Sequence, residues 1–468
     1  MSAHTFPIRY IARFTIEAKT PFLIGSGSMD LFSDAVFVSD ANGLPALPGS
    51  SLAGVLRHAF SKRYPGRDDR YFGFPGNNKV KGQGSRLTFS WGCIHDSRGV
   101  PVEGLVDQDR LSDPVLANAR HSRIRDHVRI SHRGSAVDKG KFDERCVAAG
   151  HRFTFEVMLE GSDADKADWQ CLLGFIAGGA FRVGGKTRRG YGAFRVLSVK
   201  ERAFDLLKRD GFEAFSLHPV SLAAAMQGTE QKDSLSAGVE GRAVVSAALR
   251  LRPEGFWMIG GGAGPDADMH PVKETRIRWE NDTGAVSGDE VLIPGTAVKG
   301  ALAHRVAYHY NAAAGVFADE LAAVKELEVH SGSENKGVKE LFGYSKDKET
   351  DDDEGRKGCV IIDDQFVVGQ QQKIVNHVAI DRFTGGAIPG ALFAEKPIYG
   401  GDGFELEISV ENAGSISPQA RRALAAAIND LAEGRLALGS GAGRGNGFFR
   451  AEGGIRWSDG GAWIGGAS

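Results

Sequence analysis

The sharpest chemical candidates in this sequence are carboxylates that follow glycine loops. In SMDLFSDAVF, Asp30 and Asp34 lie between a loop and a strand, where a rigid scaffold aims functional groups. In GPDADMHPVKE, Asp266, Asp268 and Glu274 stand in the same relation to a second glycine loop. A single carboxylate can hold Mg²⁺ when phosphate oxygens and waters complete the octahedron. Such a metal assists attack of a ribose 2′-OH on the adjacent phosphate, which is RNA-cleaving chemistry. The plainer reading is a set of Asx turns or caps, which short acidic side chains favour in loops. His58 and His304, at equal positions on two predicted helices, could act as general bases or simply pack, and His127 and His377 recur in the same way.

Two glycine-rich segments could hold phosphate. In GGKTRRGYG, glycines let backbone N–H groups approach an anion while Lys186, Arg188 and Arg189 supply charge. GSGAGRGNG repeats the design around Arg444 and Gly445. Neither has P-loop spacing, and no βαβ unit surrounds them. The alternative is a tight turn with solvated arginines. The stretch 120–145 is basic, with eight cations, among them Arg129 and Arg133, against four carboxylates. Such a patch can track a phosphate backbone or be a solvated hairpin. Phe142, Phe383 and Phe393 could stack on bases, or belong to a core.

These groups sit on a pattern that the chain contains twice. Residues 22–60 match 256–306, with Pro48, Gly49, Gly54 and His58 answering Pro294, Gly295, Gly300 and His304. Residues 127–157 match 377–408, and 184–196 match 439–451. Three collinear blocks imply two homologous domains, 1–203 and 243–454, a polar linker over 204–242 and a loosely held glycine-rich tail over 455–468. The acidic run at 346–357 reads as a solvated loop. Within each repeat the pattern runs strand, glycine loop, short strand, helix, insertion, strand pair, helix, glycine-rich strand. ARFTIEA alternates as a half-buried strand does. Ser50 and Ser51 can cap the helix LAGVLRHAF, and Asp163 or Asp165 the helix that follows. Strands and helices in this order on an antiparallel sheet predict an α+β fold of the ferredoxin type.

Composition narrows the setting. The 468 residues carry 57 Lys+Arg and 59 Asp+Glu, with 42% hydrophobic and 25% charged residues, which excludes a largely disordered chain. No apolar run is long enough to span a membrane, and MSAHTFPIRYIARF lacks a signal pattern. Cys93, Cys146, Cys171 and Cys359 are far apart and unrepeated, which suits a reducing cytoplasm and gives no spacing for zinc.

The run GSGSMDLFSDAVFVSDANGLPALPGSSLAGVLR resembles the RAMP superfamily of CRISPR-associated proteins, and in particular the repeated backbone subunit of type III effector complexes. IDRFTGGAIPGALF resembles that family's thumb segment, and RRGYG and GRGNG its closing loop. The resemblance covers most of both halves, so the chain is similar to a fused, double backbone subunit. It implies a modified ferredoxin-like, RNA-recognition-type fold in each half. It also implies that the chain lies along guide RNA, in the company of other subunits of the complex, and that its thumbs kink the duplex with target RNA. An Asp near each splayed nucleotide would then support cleavage with Mg²⁺ or Mn²⁺. Carried onto this sequence, those residues are Asp34, with Asp30 behind it, and Asp268, with Asp266 and Glu274 behind it. Expected RNA contacts are Lys186, Arg188, Arg189, Gly190, Arg444, Gly445, Arg129, Arg133 and Arg382, with Ser50, Ser51, Thr296 and Lys299 at the helix starts. Two departures bear on this. Ser131 stands where the second thumb has Asp381, and extra residues precede Pro294. The rival functions are a silent scaffold with the same RNA grip, a metal-independent guide-processing endoribonuclease, and a small-ligand-binding protein.

Overall fold

The computed structural model describes residues 6–27, 36–76, 81–122, 124–131, 134–179, 181–237, 244–321, 324–344 and 355–465. Asp30, Asp34, Arg133 and most of the acidic run lie outside the described residues. The first repeat contains β1 (Ile8–Ala18), α1 (Gly49–Arg63), β2 (Leu87–Phe89), the hairpin β3–β4 (Ile124–Ile130, Ala136–Arg145), β5 (Arg152–Gly161), α2 (Lys166–Ala177) and β6 (Phe194–Asp205), followed by β7 (Thr229–Glu230). The second contains β8 (Val245–Pro253), the hairpin β9–β10 (Ile277–Glu280, Thr283–Val286), α3 (Gly295–Ala313), β11 (Val360–Ile362), the hairpin β12–β13 (Val375–Ile380, Ala387–Glu395), β14 (Phe404–Val410), α4 (Pro418–Ala432) and β15 (Phe449–Trp457).

The architecture is mixed α/β. The antiparallel sheets run β2-β5-β1-β6-β7 and β11-β14-β8-β15, so the same four strands stand in the same order in each repeat. Alternate strand positions bury apolar side chains beneath two helices, which is what holds each layer pair together. In the first core, Phe14 stacks on Phe155 at 5.3 Å, against Leu52, Leu56 and Phe60 of α1 and Trp169 and Leu173 of α2. In the second, Leu249, Leu251 and Leu406 meet Val298, Leu302, Leu424 and Ile428.

The repeated Pro-Gly has a steric reason. A side chain on Gly49 would press on the Phe89 carbonyl, and one on Gly295 would collide with that of Ile362. Each helix therefore starts against a strand edge. The expected serine cap is not made: Pro48 and Pro294 occupy the capping positions, and Ser50 and Ser51 fall within the first turn. Asp165 occupies the capping position of the second helix but makes no side-chain cap bond to it; it instead closes a capping box with Ser162 on the 3₁₀ turn Asp163–Asp165 that leads into the helix.

Three other expectations differ. β1 is buried on both faces, because the stretch read as a linker wraps over it. Arg13 donates to the carbonyls of Pro219 and Ala224 and pairs with Glu156 at 2.9 Å, while β7 extends the sheet and Met226 and Leu235 are buried. The tail is also held: Trp463 is buried and donates to the Ala413 carbonyl at 2.8 Å. The extra residues before Pro294 form β9–β10, which clasps the first repeat. Trp279 donates to the Gly150 carbonyl at 2.7 Å, and the Arg152 guanidinium lies 4.0 Å over its ring. Among the described residues, no helix is long and apolar enough to cross a membrane.

Burial pushes His95 down to about 4 and His151 down to about 3. The unfolded histidines titrate near 6.5, so below that pH the unfolded chain binds protons that the folded one refuses. Stability of the first repeat should therefore fall from pH 7 to pH 5, by about 2 kcal/mol for each histidine. Urea unfolding at the two pH values checks this. His151→Gln should remove about half of the difference, and an unchanged slope would refute the assignment.

Candidate nucleic-acid interface

Each repeat raises one long hairpin from its sheet, and the two are built alike. β3–β4 aligns His127 with Phe142 across the strands, and β12–β13 aligns His377 with Phe393. The rings stack at 4.9 and 4.8 Å. Register shifts after Val128 and after Val378 twist the arms at the same point. Beyond the base, Val128, Ile130, Val378, Ile380 and Leu392 are exposed, and Phe383 at the second tip is 99% exposed. An apolar face left in water on a protruding arm is a contact surface, and aromatic and aliphatic groups there suit nucleotide bases.

A buried glutamate fixes the base of each arm. Glu144 and Glu395 are almost inaccessible. Glu144 is paired with Lys186 and Arg189 of the first closing loop, and Glu395 with Arg444 of the second. His127 and His377 lie at 3.8 and 3.2 Å from the same carboxylates. Arg189 also covers the Phe142 ring at 4.9 Å, and Arg444 covers Phe393 at 5.6 Å. A buried carboxylate must be paired, so this clamp binds hairpin to loop. The two arginines remain 44% and 43% exposed. A guanidinium has five N–H donors, more than the clamp uses in either arginine.

The closing loops share one backbone. A single 3₁₀ turn lies between left-handed Lys186 and Gly190 in the first, and between Gly441 and Gly445 in the second. Their surroundings differ. Gly190 is buried against the Ile362 carbonyl of the second repeat, whereas a side chain on Gly445 would meet nothing among the described residues. Arg188 is paired with Glu411 at 2.5 Å, and Lys299 donates to the Arg188 and Val360 carbonyls at 2.6 and 3.0 Å. Burial, with Arg188 and Arg189 nearby, pushes the Lys299 ammonium down to about 8. Gly190, Arg188 and Lys299, expected as RNA contacts, thus serve the seam between repeats.

The same seam takes Glu274. Arg125, within β3, reaches Glu274 at 2.5 Å and Asp364 at 2.7 Å, all three buried. Burial raises the Asp364 carboxyl against the pull of Arg125. Glu274 is therefore a structural anion rather than an exposed acidic tip. Asp268 is exposed, but its carboxylate accepts the Ala394 N–H at 2.8 Å, which ties its loop to the second arm. Asp266 pairs with Lys396 at 2.5 Å, and that cation lowers its pKa. Among the described residues, no three His, Cys, Asp or Glu side chains are grouped to hold a metal ion. The described carboxylates do not assemble a metal site by themselves.

The remaining expected contacts lie on open surface. Arg382 is exposed at the second tip, where Asp381 caps the turn through the Phe383 and Thr384 amides. Arg129 is exposed on the first arm and donates to Ser333 across the repeats. Ser50 is exposed, and Ser51 and Thr296 are half-buried, at the helix starts. Glu144 and Glu395 were missed by reasoning on sequence, although KFDE and LFAE place Phe-x-Glu at nearly the same offset from each repeated histidine, one residue further in the second repeat.

A family model described as the RAMP superfamily matches residues 15–195 and 254–450, well over half of the chain. No curated protein matches it.

Gly190 and Gly445 separate the two loops experimentally. Alanine at either site should cost about 1 kcal/mol in left-handed strain. Gly190→Ala alone should also loosen the seam, seen as faster limited proteolysis between repeats. Equal proteolysis of the two variants would contradict the assignment.

Proposed function

Since this chain belongs to the RAMP superfamily, with the CRISPR-associated RNA-binding role that membership implies, we propose that it is a tandem backbone subunit of a type III RNA-guided effector complex. Each repeat is read as ferredoxin-like. The order fourth, first, third, second among the shared strands supports that reading. Guide RNA lies along the clamped loops, and the two arms insert at intervals set by the repeat. The observation that carries this is the doubled constellation of His, Phe, Glu and Arg, from which each arm rises with an exposed apolar face. One such unit could be incidental. Two at matched register are what a ligand with its own repeat would require.

Cleavage of paired target RNA is part of the proposal, with Asp34 and Asp268 as the carboxylates and Mg²⁺ or Mn²⁺ as the ion. Phosphate oxygens and water would supply most of the ion's ligands. A second reading, a silent scaffold, is favoured in the second repeat by the hydrogen bond that engages Asp268. Asp34→Ala and Asp268→Ala in the purified complex separate the two. Loss of individual cuts with guide binding intact, and loss of all cuts in EDTA, is the expected result. Cutting by both variants at the original rate would remove the site assignments. Cutting of precursor guide by the isolated chain in EDTA would point instead to guide processing.

Guide binding should weaken steeply with salt, because phosphate contacts release counterions. Arg129→Ala and Arg382→Ala should each flatten the slope by about 0.7, the share of one phosphate on single-stranded RNA, whatever the guide sequence. A flat salt response in the unaltered chain would exclude backbone tracking.

A further inference from the structure

The two clamps balance their buried glutamates by different means. In the first, Oε1 of Glu144 takes both Lys186 and Arg189 of the closing loop, and Oε2 has no hydrogen-bond partner among the described residues. His127 stands back, 3.8 Å from Oε2 and 3.3 Å from the Tyr191 hydroxyl. In the second, Oε1 of Glu395 takes Arg444, and Oε2 takes Nε2 of His377 at 3.2 Å. Gly441 stands at the place in the turn that Lys186 has in the first loop, and Asn446 at that of Tyr191. Among the described residues, no second permanent cation pairs with Glu395. His377 thus has the role for Glu395 that a lysine has for Glu144.

The difference matters once an anion arrives. Glu144 pairs with two permanent cations and leaves one positive charge in excess, whereas Glu395 pairs with one and leaves none. A phosphate drawn to Arg189 uses up the excess, and Lys186 still answers Glu144. A phosphate drawn to Arg444 makes two anions share one guanidinium, and one of them, Glu395, is only 1% exposed. A buried carboxylate short of counter-charge is costly. A carboxylate only accepts, so Nε2 of His377 already carries a hydrogen towards Oε2, and a proton added at Nδ1 supplies the missing charge in place. The side chain is 25% exposed, so water can deliver that proton.

The other charged groups that meet the base of the second arm lie on the loop 266–270 and on the end of β13. Asp266 is paired with Lys396 at 2.5 Å and lies 3.0 Å from His270, and the Asp268 carboxylate accepts the Ala394 N–H. Lys396 is thereby engaged, and the loop brings more negative charge than positive. The first clamp is set the opposite way. Burial lowers the His127 imidazole, and Arg125, Arg189 and Lys186 push in the same direction against the pull of Glu144. With Lys186 present, that ring has no charge to supply.

We propose that His377 is a positioning residue for RNA: it takes up one proton from water as a guide phosphate engages Arg444, and so keeps Glu395 and the second arm in place, while the first clamp engages phosphate without proton uptake. This deepens the RNA reading and rests on it. The bound state holds one proton more than the free state, so binding strengthens as pH falls and loses this contribution as pH rises through the range in which the bound imidazole titrates.

Fluorescence anisotropy of a labelled single-stranded RNA on the full chain, at fixed salt, tests this together with calorimetry in two buffers of different ionisation enthalpy. Affinity should rise by up to about tenfold per pH unit between about pH 8 and pH 6, the limit for one linked proton, and calorimetry should show net proton uptake with the RNA. His377→Gln should abolish the uptake and flatten the pH response. Gly441→Lys gives Glu395 the lysine that Glu144 has, at a left-handed position that Lys186 already adopts. It should abolish the uptake and tighten binding at the alkaline end. Lys186→Met should do the reverse, adding a second linked proton that His127→Gln then removes. Uptake that survives His377→Gln, or one pH response shared by all variants, would overturn the proposal. Salt-dependent binding with no pH response would overturn it and leave the RNA reading standing, whereas absence of salt-dependent binding would remove both. If Gly441→Lys fails to fold, Lys186→Met decides, since an unchanged proton count there would also overturn the proposal.

Discussion

A carboxylate cannot be buried without a cation, and that constraint organises this molecule. Glu144 and Glu395 are enclosed at the bases of the two arms, and in each case an arginine from the closing loop answers the charge. The pairing sets how the loop meets the arm. It also holds the guanidinium over an aromatic ring while leaving the arginine partly exposed. The arms can then project apolar side chains into water, because their footing is supplied by ion pairs rather than by a core.

The same constraint works between the repeats. Arg125 begins in the first arm and ends among Glu274 and Asp364 of the second repeat. An arm that would otherwise be anchored only in its own sheet is thereby fixed to its neighbour. Arg188 and Arg182 reinforce the joint from the closing loop. The insertion β9–β10 adds a further clasp between the repeats, through Trp279 and Arg152. RNA recognition, as proposed here, would use groups already fixed by internal charge pairs, so little ordering would remain for the ligand to impose.

Much of this was legible in the residues. The two repeats, the helices that start after Pro-Gly, the paired strands of the arms and the matching glycine turns all follow from patterns a few residues long, and the structure carries them at the expected places. Other points were misread for reasons that can be named. Ser50 and Ser51 have the chemistry of caps, but Gly49 must lie against the Phe89 carbonyl, and this moves the helix start ahead of them. Glu274 has the chemistry of a metal ligand, but Arg125, 149 residues away in sequence, reaches it first. The linker looked polar and small, yet its carbonyls are what Arg13 needs.

The sequence by itself determined that there are two copies of one module, and which local conformations each must contain, because backbone sterics and side-chain periodicity act over a few neighbours. Only the tertiary structure decided which copy of each motif is covered and which is open. Gly190 and Gly445 occupy the same turn with the same sign of φ, yet one is buried under a carbonyl and the other faces solvent. The reason is physical: charge and burial depend on what is brought within a few ångströms through space, and the spacing of residues along the chain does not record that.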